Sequence, residues 1–193
     1  MRLFLATFLE AAHASLQKPD ELAGFAGRSR IAYLVPVLCA FSTSVAAYLL
    51  RDFYESIFLF NILVTAILQT AAYVIYGLMF AALVDFFVQK EHEDRAGKGH
   101  GAFLIFLYCL LPLVFTFPIA AIARVTPVPF VVAGAGSILL HAWCAFGLVR
   151  ALQYYYEIPL RGMLTAMLKS FAATVGFPLV LLFLASFRLV SSL

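Results

Sequence analysis

Five long stretches of this chain carry no Asp, Glu, Lys or Arg: 31–50, 57–84, 101–123, 125–149 and 170–187. A bilayer core about 30 Å thick is crossed by a helix of about 20 apolar residues. A soluble core can hide one or two such helices; five in succession predict another fate. The expected fold is all-α, a polytopic membrane helix bundle with five transmembrane helices. Composition agrees: 12% of residues are charged and 64% hydrophobic, where a soluble domain is about 25% charged.

The densest charge cluster lies between the second and third runs, Gln89-Lys-Glu-His-Glu-Asp-Arg-Ala-Gly-Lys-Gly-His100. It reads as a solvated loop. Lys and Arg alternate in number from one connection to the next: Arg2, Lys18, Arg28 and Arg30; Arg51; Lys90, Arg95 and Lys98; Arg124; Arg150, Arg161 and Lys169; Arg188. Cytoplasmic loops carry the excess of cations. The N-terminus is therefore expected in the cytoplasm and the C-terminus outside, in a multi-pass protein of the inner membrane. The net charge of +3 is spread between spans with no consecutive basic residues, so no nucleic-acid partner is expected.

Residues 1–30 form a cytoplasmic amphipathic segment and 31–193 the five-helix transmembrane domain. Leu5, Phe8, Leu9, Ala12 and Leu16 share one helical face; Thr7, Glu10 and His13 share the other. Such a helix fits the membrane interface with its apolar side down, or a packed position on the cytoplasmic face of the bundle. Lys18-Pro19-Asp20 ends it, and Asp20, alone or with Glu21, is placed to cap a short helix running toward Phe25.

Polar groups inside the apolar runs are few and therefore informative. Asn61, Thr65 and Gln69 are spaced four apart on one helix face. Hydrocarbon offers amides no partner, so that face belongs inside the bundle or at a subunit contact. Hydrogen bonding between helices is the favoured reading, and a lined solute path the alternative. Asp85 is expected near water at the cytoplasmic end. Pro112 and Pro118 predict kinks in the third span and Pro178 one in the last. Ala133-Gly-Ala-Gly-Ser137 suits close helix contact. His141, near Trp143, has no further ligand at metal spacing and reads as a hydrogen-bonded intramembrane contact. Tyr154, Tyr155 and Tyr156 read as an interfacial aromatic belt. Cys39, Cys109 and Cys144 read as packing residues.

No catalytic or nucleotide-binding motif is present. Glu91, His92, Glu93, Asp94 and His100 are opposed by neighbouring cations and do not form a metal site. No catalytic residue, cofactor or metal is expected.

The hydropathy order and scattered residues resemble the YIP family (Ypt-interacting proteins) of five-span membrane proteins. The likeness is carried by Pro19 and Phe25 before the first span, Leu110-Leu111-Pro112 in the third, and Trp143 through Leu182. The long acidic cytoplasmic domain of the family's eukaryotic members is missing here. With the small-residue and amide-bearing helix faces and the lack of catalytic residues, the expected function is that of a non-enzymatic, YIP-like membrane protein, a scaffold or accessory subunit of an inner-membrane assembly in membrane organisation or envelope transport. Its partners would be the lipid bilayer and other membrane subunits, or further copies of itself. A small-solute or lipid transporter or channel subunit is the alternative function.

Overall fold

A helix with no polar side has to be covered all round, and the stretch after the charged loop is one. In the computed structural model, residues 101–113 are all buried. The structure describes residues 2–27, 29–50, 58–92 and 97–191, with side chains over 6–27, 31–50, 59–92 and 97–176. Arg28, Arg51, Glu93, Asp94, Arg95 and Leu193 lie outside the described residues, as do the side chains of Arg2, Arg30 and Arg188.

The elements run α1 (Arg2–Gln17), a 3-10 helix (Pro19–Phe25), α2 (Ser29–Ala32), α3 (Leu34–Leu49), α4 (Phe58–Glu91), α5 (Gly99–Cys109), a second 3-10 helix (Leu111–Phe115), α6 (Thr116–Arg124), α7 (Pro129–Tyr156) and α8 (Leu160–Ser191). No strand occurs among the described residues. α5 is the centre, contacted by α1, α2, α3, α4, α7 and both 3-10 helices. The segments Leu59–Glu91, Gly99–Arg124 and Pro129–Tyr156 are each long and apolar enough to cross a membrane. α3 is apolar but shorter, 16 residues.

Helix ends fall away from the sequence expectation in three places. α4 is 34 residues, about 51 Å at 1.5 Å per residue, so it absorbs Gln89, Lys90 and Glu91 of the charged cluster. α8 starts ten residues before the last apolar run and continues past Pro178 as one helix. Arg161 and Lys169 thus ride on a helix rather than a loop, and Lys169 Nζ reaches Glu91 at 2.5 Å to tie α8 to α4. The third apolar run is divided rather than kinked. Pro112 sits in the first turn of a 3-10 helix and Pro118 in the first turn of α6, where a missing N–H is tolerated.

α1 is a helix, and of its expected apolar face Phe8 and Ala12 pack against the core while Leu9 does not. Ala11, Ala14 and Ser15 are buried, while Leu9 is 58% exposed. Small side chains let the helix approach the bundle closely, which turns the bulky leucine outward. The following 3-10 helix drives Pro19, Leu22 and Phe25 into the core. Phe25 meets the ring of Tyr108 edge-on at 5.5 Å, and Trp143 Nε1 donates to the Ser15 carbonyl at 3.2 Å. No side chain caps this turn; instead Lys18 pairs with Glu21 at 2.8 Å, a bond that raises the lysine's pKa.

Candidate functional site

Two polar clusters hold the bundle together. The first lies where the prolines break the third apolar run. Pro118 has no N–H for the Val114 carbonyl four residues back. Ser42 Oγ on α3 donates to that carbonyl at 2.7 Å and accepts the Phe117 N–H at 3.1 Å. One turn earlier, Cys39 Sγ donates to the Leu110 carbonyl at 3.1 Å. α3 therefore supplies the partners that the broken helix lacks, as membrane-depth backbone requires. Cys39 is more than the packing residue expected from sequence.

Gln69 joins this seam from α4. Its Oε1 accepts from Thr43 Oγ1 at 2.6 Å and from Ser44 Oγ at 3.3 Å. Asn61 and Thr65, on the same stripe, are half-buried. Thr43 also lies 2.9 Å from the Cys39 carbonyl, and one hydroxyl proton serves one acceptor at a time. Gln69→Leu is accordingly expected to cost only about 1 kcal/mol, since Thr43 falls back on its own helix. Unfolding in mixed micelles measures this; a loss above about 3 kcal/mol, the range for breaking a buried charged pair, would give Gln69 a larger part than this geometry allows.

The second cluster sits at the opposite end of α4. Asp85 Oδ1 accepts from Tyr156 Oη at 2.8 Å and from the Lys98 backbone N–H at 3.1 Å. The carboxylate thereby lies at the N-terminus of α5, where the helix dipole favours a negative charge. Lys98 Nζ donates to the Tyr155 carbonyl at 3.1 Å and lies 5.3 Å from the ring centre of that residue. Tyr155 Oη points back to the Lys98 carbonyl at 3.4 Å. One carboxylate, one lysine and two tyrosines thus fasten α4, α5 and α7 to one another.

The end of α7 makes this possible. Glu157 takes a left-handed conformation, φ 53°. Its N–H reaches the Tyr154 carbonyl and the Ile158 N–H reaches the Gln153 carbonyl, both at 3.3 Å. That is a Schellman ending, whose apolar contact is supplied by Ile158, 6% exposed. It stops the helix with Tyr156 facing the core.

The three tyrosines expected as one belt consequently divide. Tyr154 is 49% exposed, with Arg150 over its ring at 5.5 Å. Tyr155 is half-buried. Tyr156 is fully buried and belongs to the core, because helical spacing cannot turn three consecutive rings to one side. His141 is exposed; its Nδ1 lies 2.7 Å from the Ser137 carbonyl of the preceding turn. It is brought together with none of Asn61, Thr65 or Gln69. In the glycine-rich stretch only Gly136 makes a close approach, to Ile119; a Cβ at Gly134 would meet open space.

Sequence reasoning missed the Asp85–Lys98–Tyr156 joint and the Ser42–Thr43–Ser44 side of the seam. Three consecutive hydroxyl residues in an apolar run were the available signal for the seam. The joint offered none, since its members are 13 and 71 positions apart.

These clusters bind helices to one another within an all-helical membrane protein. No family model, curated protein or solved structure matches the chain.

Proposed function

We infer that the chain is a five-span integral membrane protein of the inner membrane, with a cytoplasmic N-terminus and an external C-terminus. In this reading α3 and α8 cross with the segments Leu59–Glu91, Gly99–Arg124 and Pro129–Tyr156, and α1 packs at the cytoplasmic side. It works without catalysis, as a YIP-like scaffold or accessory subunit whose helix faces contact other membrane proteins or further copies of itself.

The observation that carries this is the unequal covering of the spans. An 18-residue apolar stretch within Gly99–Arg124 is 67% buried, and one within Pro129–Tyr156 only 17%. α7 leaves Val131, Ile138, Leu139, Trp143 and Phe146 exposed, with His141 among them. Hydrocarbon alone satisfies the apolar members of that face but gives an imidazole no donor. Pro19 and Phe25, the residues behind the family resemblance, are buried anchors of the N-terminal segment. The pairing of Gln69 with α3 supports a packed contact over a solute path.

Native-mass measurement on the full chain, extracted with its surrounding lipid, tests the reading. A species heavier than the 21.3 kDa monomer by at least one protein subunit is expected. A lone monomer in every extraction would defeat it.

A further inference from the structure

Small residues converge at the far end of the bundle from Asp85. Ala47 of α3, Ala120 of α6, and Ala133 and Gly134 of α7 line a crevice of about 320 Å³, with the hydroxyl side chains Thr43 and Ser137 also on its wall. Membrane bundles ordinarily use small residues to bring helices into contact. Here three helices carry them and a space remains, of the size that holds a small ligand (about 300–1,000 Å³). The crevice is open on one side, so an occupant can enter it from the surrounding medium.

A cation lies close to the crevice. Leu50 belongs to its lining, and Arg124 Nη1 donates to the carbonyl of the adjacent Leu49 at 2.7 Å. The rest of the guanidinium fork is exposed and can bind a phosphate through two further N–H groups. α7 starts at Pro129 with no side-chain cap and its next residue, Phe130, lines the crevice, so the positive end of its dipole lies at the same wall. A crevice walled mostly by apolar side chains, with a guanidinium bonded one residue away from its lining, suits a molecule that carries both an acyl chain and an anion.

We propose that this α3–α6–α7 crevice binds an anionic phospholipid, one acyl chain in the slot and the phosphate on Arg124. The site rests on the membrane reading above but not on the number of spans or on any protein partner. An anionic headgroup distinguishes it from general solvation by lipid, which would not select for charge.

The test uses the full chain in detergent, titrated with phosphatidylglycerol and phosphatidylcholine of identical acyl chains and read by native mass spectrometry. The wild type is expected to retain phosphatidylglycerol in preference. Arg124→Gln is expected to reduce that preference roughly tenfold, the scale of one charge-assisted hydrogen bond. Gly134→Leu is expected to lower retention of both lipids, because its side chain grows into the crevice. Circular dichroism checks its folding; should it not fold, Ala47→Leu takes its place. Glycerol phosphate, a headgroup without chains, is expected not to compete. An unchanged preference in Arg124→Gln, unchanged retention in the filling variant, or competition by glycerol phosphate would each overturn the site. A chain recovered in the soluble fraction and retaining neither lipid would instead overturn the membrane reading, so the two failures are separable.

Discussion

Truncating Tyr156 to alanine is expected to destabilise the bundle by about 3–5 kcal/mol, the range for removing a buried aromatic ring. The ring is 0% exposed, and its hydroxyl holds Asp85 at 2.8 Å. Two contributions are separable. Tyr156→Phe keeps the ring and loses the bond, and is expected to cost about 1 kcal/mol. Asp85→Ala leaves the hydroxyl without its acceptor and removes the carboxylate from the start of α5, so about 1–3 kcal/mol is expected. Combined with Tyr156→Phe it should cost less than the sum, because both changes remove the same bond. Reversible unfolding in mixed micelles reads all four variants. Equal losses for the phenylalanine and alanine variants would show that the ring does not anchor α7.

Gly101→Ala is expected to cost about 1–3 kcal/mol, through overpacking rather than lost contacts. A Cβ built there falls on the Tyr155 hydroxyl, lies 2.5 Å from Tyr155 Cζ, and is 3.2 Å from Ala26 Cβ. Tyr155 is held by Lys98 on both its hydroxyl and its ring, so the clash displaces a fixed ring or pushes α5 from α7. Tyr155→Ala in the same chain clears the hydroxyl and Cζ, leaving only the contact with Ala26. A favourable coupling of about 0.5–3 kcal/mol is therefore expected in the double-mutant cycle. Simple additivity would mean that Gly101 and Tyr155 do not share the space assigned to them.

Some of this is legible in one dimension. Gln69 announces itself, because an amide in an uncharged run must find a partner and most of the chain around it can offer none. Pro112 and Pro118 announce a disturbance for a similar reason, since each deletes a donor that hydrocarbon cannot replace. The form of the disturbance is another matter. Whether a proline kinks a helix or divides it depends on who takes the freed carbonyl, and Ser42 lies 72 positions from Val114. Leu9 shows the same limit in α1. Periodicity identifies a face, but the closeness of the neighbouring helix decides whether bulky or small residues are covered.

What this sequence determined by itself is therefore the solvent of its helices. Apolar run length and the spacing of charges are local properties, and they are sufficient to make an all-helical chain with segments long enough for a membrane. Tertiary structure alone decided which helix is central, that Tyr156 turns inward while Tyr154 stays out, and that Asp85 meets Lys98 and Tyr156. Those choices depend on distances between residues far apart in the chain, and such distances come into being only when the helices pack.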